Sequence, residues 1–329
     1  MQQRNFGPFP VSAIGLGCMN LSHAYGVPPP FEQAERVLLE ALDRGVTLFD
    51  TAALYGFGAN ETLVGKVLAP HRQRFTLASK CGMQGVDGKR VIDGRPETLK
   101  KTCEDALRRL QTDVIDLYYL HRWDKQVPIE ESVGGLADLV KAGKIRAIGL
   151  SEVSASTLRK AHAVHPIAAV QTEYSLWTRN PEIAVLDACR ELGTTFVAFS
   201  PVARGFLCGV PLDVSAFDAK DIRRVMPRFS TENYARNSAL LPAYEALAKE
   251  AGCTPAQLAL TWLLHKGDFI IPIPGTTSVE HLVEDLGAAD VKLPLEIAAK
   301  VEALINQRTV HGDRYTAQNT VEVDTEVFV

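Results

Sequence analysis

Four polar residues stand where apolar runs end. Asp50 and Tyr55 lie five positions apart in "LFDTAALYG", Lys80 sits in "ASKCG", and His121 in "YYLHRWD". Taken singly, each is an ordinary polar residue where a strand gives way to a loop. Brought together they make a proton donor. A lysine beside a phenol favours the phenolate and lowers the tyrosine pKa, and an aspartate beside the lysine keeps it charged. A histidine nearby can orient a substrate oxygen. The set suits a carbonyl oxygen that takes a proton as it becomes an alcohol.

Such a set needs elements that converge. Short apolar runs at 13–17, 46–49, 75–79, 114–120, 145–150, 168–171, 195–199 and 269–273 read as buried strands, rich in β-branched and aromatic residues. Amphipathic stretches at 31–45, 95–110, 128–144, 155–163, 180–193, 235–251 and 278–288 read as helices. Another begins at Thr254 as N-cap, with Pro255 at its first position. Strand–helix alternation through the whole chain predicts a parallel sheet with helices outside. We read residues 1–329 as a single domain, a closed (β/α)8 TIM barrel with a long loop (201–233) after strand seven. A doubly wound open sheet is the rival, but "GLGCMN" lacks the third glycine of a dinucleotide turn. In the barrel, strands two, three and four carry Asp50, Lys80 and His121 to one mouth. Strand five ends at Ser151 and Glu152, strand six at Gln171, strand seven at Ser200, and strand eight runs into "PGTTS".

Bulk properties exclude other classes. Apolar residues make up 46% and charged residues 22%, enough for a large core, and the net charge is −4 without a basic stripe for nucleic acid. No run approaches the roughly 20 apolar residues that span a bilayer. The start "MQQRNFGPFP" does not read as a signal peptide. Six scattered cysteines fit neither a disulfide framework nor a zinc site, and His162, His165 and His265 show no metal spacing. The expectation is a cytoplasmic protein with a small-molecule partner, no metal, and no nucleic-acid or membrane partner. Nothing in the sequence identifies an oligomeric interface.

The segments "GLGCMN", "LFDTAALYG", "ASKCG", "YYLHRWD", "IGLSEVS", "VQTEYSLW", "AFSPVARGFLCG" and "IPIPGTTSVEHLVEDLGA" resemble, in order, the signatures of the aldo-keto reductase superfamily. The resemblance spans essentially the whole chain. "RRVMPRFSTENYARN" and the tail "HGDRY" look like its pyridoxal-reductase-like and auxin-induced-protein-like branch. It implies NADPH-dependent reduction of aldehydes or ketones. Tyr55 would be the acid, Lys80 and Asp50 would tune it, and His121 would orient the carbonyl. It also implies a nicotinamide dinucleotide across the barrel mouth. Gly17, Cys18 and Met19 would lie at its nicotinamide end beside Asp50, Ser151 and Gln171 at its carboxamide, and Phe199 against the ring. Ser200, Pro201, Val202, Arg204 and Gly205 would follow the pyrophosphate. Gly275, Thr276, Thr277, Ser278, His281 and Asp285 would meet the adenosine end.

The chain departs from that pattern in places. Glu152 replaces the usual asparagine after Ser151, and an ionised carboxylate cannot donate a hydrogen bond to a carboxamide. The adenosine segment "GTTSVEHLVED" holds no Arg or Lys for a 2′-phosphate, and Asp285 replaces a common asparagine. NADH is therefore a rival to NADPH, unless Arg204, Arg223 or Arg224 supplies the charge. Tyr25, Trp123 and Trp177 follow strand ends and are expected as substrate-pocket walls, with Arg314 and Tyr315 of the tail as further candidates. Cys18 reads as a packing residue. The alternatives to a reductase are an NAD-linked alcohol or sugar dehydrogenase, a non-catalytic nicotinamide-binding regulatory subunit, and a Schiff-base aldolase using Lys80.

Overall fold

The computed structural model describes residues 2–328. Eight parallel strands follow one another in order around one sheet. They are β1 (Leu16–Gly17), β2 (Leu48–Asp50), β3 (Thr76–Cys81), β4 (Ile115–Leu120), β5 (Ile145–Ser151), β6 (Ile167–Glu173), β7 (Thr195–Phe199) and β8 (Ile270–Pro272). The Gly15 N–H donates to the Pro272 carbonyl at 3.1 Å and the Gly17 N–H to the Pro274 carbonyl at 2.9 Å. The first and last strands therefore meet, and the sheet closes into the expected (β/α)8 barrel.

Closure sorts the strand residues by parity, because successive side chains point to opposite faces. Leu48, Ala78, Leu117, Tyr119, Ala147, Ala169, Val197 and Ile271 share one buried cluster with Phe6 and Val11. Their chain neighbours Phe49, Leu77, Tyr118, Ile148, Val170, Phe196 and Ile270 belong to the larger cluster that includes the helices. The first set fills the barrel and the second faces outward. Gly149 makes room inside: a Cβ there would lie 2.4 Å from the Tyr119 ring. Phe6 and Val11 come from an antiparallel hairpin, Gln3–Phe6 with Phe9–Ser12, that the sequence reading did not foresee.

The helices are α1 (Phe31–Asp43), α2 (Ala59–Leu68), α3 (Pro96–Leu110), α4 (Ile129–Lys141), α5 (Ala155–Val164) and α6 (Val185–Leu192). After the long loop come α7 (Thr231–Ser238), α8 (Leu241–Glu250) and α9 (Pro255–His265). Beyond β8 lie α10 (Val279–Gly287), α11 (Leu295–Leu304) and the short α12 (Ala317–Thr320). The periodicity of α1 is realised, with Ala34, Val37, Leu38, Ala41 and Leu42 buried. Thr254 caps α9 as expected, in a capping box with Gln257.

Three differences have local causes. The helix expected over 235–251 is two, and Pro242 stands in the first turn of the second. Helix α2, absent from the sequence reading, contains Gly65, which usually weakens a helix. That glycine is a close approach: a Cβ would lie 2.3 Å from the Arg109 carbonyl oxygen at the end of α3. Gly65→Ala is expected to destabilise the fold by about 1–3 kcal/mol through overpacking, read as a lower denaturant midpoint at unchanged slope. Finally, Met83–Val86 and Lys89–Ile92 form a second hairpin beside the barrel mouth. Its turn residues Asp87 and Gly88 both have positive φ (50° and 74°), the pairing an Asp-Gly hairpin turn favours.

Candidate active site

The parity that fills the barrel also aims the site. Asp50 follows Leu48 by two residues, Lys80 follows Ala78 by two, and His121 follows Leu117 and Tyr119 in phase. Ser151, Gln171 and Phe199 continue the inward sets of β5, β6 and β7 in the same way. Five of them lie in the C-terminal part of their strands and His121 directly follows the end of β4, so the six converge at the C-terminal mouth.

Lys80 is fully buried, and its Nζ is the hub. It pairs with Asp50 Oδ1, donates to the Thr51 carbonyl at 2.8 Å, and lies 3.2 Å from the Tyr55 hydroxyl. The second Asp50 oxygen accepts from Gln171 Nε2 at 2.7 Å. The His121 ring meets the Tyr55 ring edge-on, with centroids 5.8 Å apart. Burial works against charge throughout this cluster. It raises Asp50, although Lys80 and Gln171 pull the other way. At Lys80 burial lowers the pKa, but Asp50 and Tyr55 outweigh it and the net direction is up. The lysine is thus held charged against a carboxylate that receives two donors.

Tyr55 corrects the sequence expectation. Burial raises its hydroxyl above the ordinary value, and Lys80 offsets only part of that. The phenol therefore stays protonated at neutral pH, the form a proton donor needs. Burial, then Arg122 and Lys80, push His121 well below its usual value, so its imidazole is neutral. Its Nδ1 is buried without a partner. An unpartnered lone pair is less costly than an unpartnered N–H, which favours the tautomer with the proton on Nε2.

Tyr55 is placed by a turn stitched to its surroundings. The Ala53 N–H donates to the Lys80 carbonyl at 3.2 Å and the Tyr55 N–H to the Ala52 carbonyl at 3.1 Å. Buried Asn60, at the start of α2, accepts from Thr51 Oγ1 at 2.6 Å and donates to the Cys18 carbonyl at 2.7 Å. One amide thereby links the strand end, the first loop and the tyrosine turn. Gly58 takes φ 95° between Tyr55 and α2, a conformation a side chain would strain.

A cavity of about 1100 Å³ opens over this cluster. Asp50, Tyr55, His121, Ser151, Gln171 and Phe199 line its inner end, with Gly17 and Met19 beside them. Ser200, Pro201, Val202, Arg204 and Gly205 line its long-loop wall, and Gly275, Thr276, Thr277, His281 and Asp285 its far end. Lys80 lies behind Asp50 and Tyr55. Tyr25 and Tyr315 line the cavity.

Four expected contacts lie elsewhere. Cys18 is buried beneath the wall, its thiol near the Leu16 carbonyl and its pKa raised by burial, which leaves it inert. Ser278 is the N-cap of α10, accepting from the His281 N–H and donating to Glu280 at 2.7 Å. Trp177 is core: its ring packs 4.1 Å from Phe206 and 5.4 Å from Phe229, beneath the long loop. Trp123 points back toward its own loop, with Nε1 donating to the Val127 carbonyl at 2.9 Å. Large aromatics near strand ends read alike whether they face the cavity or the outer core. In their place the cavity wall has His23, Asn20, Met83, Arg90, Arg122 and tail residues Asn319, Glu322 and Val323. Only Arg122 carried a local signal, its adjacency to His121.

The tail folds over the mouth. Glu152, at φ 58°, turns away from the cavity, and its carboxylate takes the Glu173 N–H and the Arg314 guanidinium. Arg314 also reaches Glu173 at 3.2 Å, and Arg204 reaches it from the long loop at 2.8 Å. Burial opposes charge on Glu173, yet Arg204, Arg314 and Arg228 outweigh it and hold the carboxyl down at about 2. Arg204 is thus already neutralised, and Arg223 is paired with Asp221 at 2.6 Å. The acidic side chains at the far end are Glu284 and the more deeply buried Asp285.

Burial, with Glu284 adding to it, raises Asp285 to about 7. The unfolded chain releases this proton near the ordinary aspartate value, so the folded state binds the extra proton between about pH 4 and 7. Stability contributed by Asp285 is full below that window and lost as pH rises through it, by about 4 kcal/mol. Asp285→Asn is expected to abolish this fall, so the gap between variant and wild-type denaturation midpoints should widen from pH 4 to 7 and then level off.

A closed (β/α)8 barrel with Asp, Tyr, Lys and His gathered at the C-terminal mouth of three successive strands describes one class, and sequence comparison agrees. The sequence model of the Aldo/keto reductase family matches residues 13–306, and the chain belongs to that family. It is 44% identical over 310 residues to a protein of Glycine max named probable aldo-keto reductase 1, covering 93% of this chain and 89% of that one. Among solved structures, the glycerol dehydrogenase of Gluconobacter oxydans superposes with a TM-score of 0.85 at 30% identity, covering 94% of this chain and 96% of its own. An aldo/keto reductase from Klebsiella pneumoniae, solved with NADP and acetate, gives 0.73 at 27% identity, covering 95% and 98%. Among the described residues no cluster of three metal-ligating side chains occurs, and no helix is long and apolar enough to cross a membrane.

Proposed function

We propose that the protein reduces aldehydes or ketones to alcohols with NADPH, reversibly, as a single catalytic domain. The six cysteines, all free thiols, suit a cytoplasmic setting. The observation that carries the reading is the Tyr55 hydroxyl, 3.2 Å from a buried, carboxylate-paired lysine and open to the cavity.

The cavity suits an extended dinucleotide. It runs from the buried cluster to the loop before α10, and its inner end offers amide-matching groups. Gln171 gives its N–H to Asp50, which leaves its oxygen to accept, and the Ser151 hydroxyl lies beside it on the wall. A bound reduced nicotinamide supplies the hydride. Tyr55 donates the proton to the carbonyl oxygen. Charged Lys80 stabilises the phenolate that remains, and Asp50 keeps Lys80 charged and in place. Neutral His121 donates from Nε2 to the same oxygen and so orients it. In the alcohol-oxidising direction Tyr55 is the base.

NADPH is supported by the family and by the NADP-bound relative. A second reading, NADH, is favoured by Glu284 at the far end, where a 2′-phosphate would meet a carboxylate. The deciding measurement follows the reduced-nicotinamide absorbance with NADPH and NADH separately over a panel of aldehydes and ketones. Tyr55-dependent consumption supports the reductase and ranks the cofactors. Binding without consumption would leave a nicotinamide-binding protein and sink the catalytic reading.

A further inference from the structure

Most of the charged groups around the cavity are matched. Asp50 has Lys80, Arg90 is held by both oxygens of Glu322 (2.5 and 2.6 Å), Arg204 has Glu173, and Arg223 has Asp221. Arg122 is the exception at the inner end. It stands one residue after His121 and lines the cavity. Its only hydrogen-bond partners among the described residues are neutral oxygens, the His121 carbonyl at 2.7 Å and Ser151 Oγ at 3.3 Å, both from Nη1. No carboxylate lies within ion-pair distance of it among those residues. A guanidinium has five N–H donors in a planar fork. Here most of them remain free beside the candidate proton donor.

We propose that Arg122 is a substrate-specificity residue that selects aldehydes and ketones carrying a carboxylate near the reacting carbonyl. The proposal rests on the carbonyl-reductase reading above and names its substrate class. With Tyr55 and His121 on the carbonyl oxygen, the free face of Arg122 accepts the carboxylate as a paired, two-oxygen contact. Leu54, Met83 and Val323 provide apolar wall for the rest of the molecule. A carboxylate fits better than a phosphate dianion, which calls for more than one cation: Arg90, the other guanidinium on this side, is committed to Glu322. Neutral His121 does not compete for the anion. The same cation also disfavours protonation of His121, so one residue serves both selection and the state of its neighbour.

The test uses matched pairs. Turnover is followed with glyoxylate, 4-oxobutanoate and 2-carboxybenzaldehyde, each against its methyl ester, with whichever nicotinamide cofactor the enzyme consumes. For at least one pair the wild type should favour the acid at least tenfold in kcat/KM. Arg122→Gln should lower that acid-to-ester ratio at least tenfold, and Arg122→Lys should lower it less, since it keeps the charge but loses the fork. Benzoate should inhibit benzaldehyde reduction competitively, with an inhibition constant at least tenfold weaker in Arg122→Gln. Thermal melts confirm that the variants are folded. Esters equal to or better than acids in the wild type overturn the proposal, whatever the variants do. So does an acid-to-ester ratio that Arg122→Gln leaves unchanged, or a variant whose only defect is weaker cofactor binding. In those cases neutral aldehydes are still reduced and the reductase reading survives. Absence of Tyr55-dependent turnover with every compound removes that reading, and the specificity proposal with it.

Discussion

Tyr55→Phe is expected to lower kcat/KM for carbonyl reduction by about 10²–10⁴-fold, the usual worth of a positioned acid, while cofactor titration still shows binding. The substitution deletes one hydroxyl and keeps the ring that meets His121 edge-on. The two other members of the buried cluster that carry protons are poor substitutes. Neutral His121 holds its ring proton too tightly to give it up at pH 7, and Lys80 lies behind the cavity wall. Because burial keeps Tyr55 protonated, wild-type reduction should hold from neutral pH up to the range where the phenol ionises, and the residual rate of Tyr55→Phe should lack that limb. Turnover within threefold of wild type would remove Tyr55 as the acid.

Lys80→Met should damage both activity and stability. The side chain is fully buried and its Nζ serves three oxygens, those of Asp50, Thr51 and Tyr55. Removing one partner of a buried ion pair strands the other charge, at a cost of about 3–5 kcal/mol. The denaturant midpoint should fall accordingly, and reduction should become undetectable against the Tyr55→Phe background. The double variant Asp50→Asn/Lys80→Met separates the two roles. It no longer buries a lone carboxylate, so it should regain part of the lost stability, yet it should regain no activity. A midpoint unchanged in Lys80→Met would mean that Asp50 takes up a proton and the pair carries little of the fold's stability.

The two variants also show why the site was readable in part. Asp50, Lys80 and His121 could be placed because each follows an apolar run, and strand ends of a barrel share one mouth. The alternation that aims them inward was present too, since Leu48–Asp50, Ala78–Lys80 and Tyr119–His121 keep one parity. Parity alone would also have separated Gln171 and Ser151 from Glu152, which sits one residue out of phase and turns away. Tyr174, Trp177 and Trp123 lie past the strand ends, where period two stops applying. Trp177 therefore went to the core under the long loop, and Trp123 to its own loop carbonyl.

What the sequence determined by itself was the alternation of strands and helices, the closed barrel, and the placement of Asp50, Lys80 and His121 at one mouth, because these depend on local periodicity and the rule that parallel strands end together. What only the tertiary structure decided was the charge state of that set and the far walls of the cavity. The direction of the Tyr55 shift turns on burial against Lys80, and burial is a property of the packed chain. Whether an arginine is free or spent turns on partners far along the sequence. Arg204 is neutralised by Glu173, and Arg90 by Glu322 of the tail, more than two hundred residues away, whereas Arg122 meets no acid among the described residues. Such pairings leave no periodic trace in the sequence, because they arise only when separate loops are brought to the same mouth.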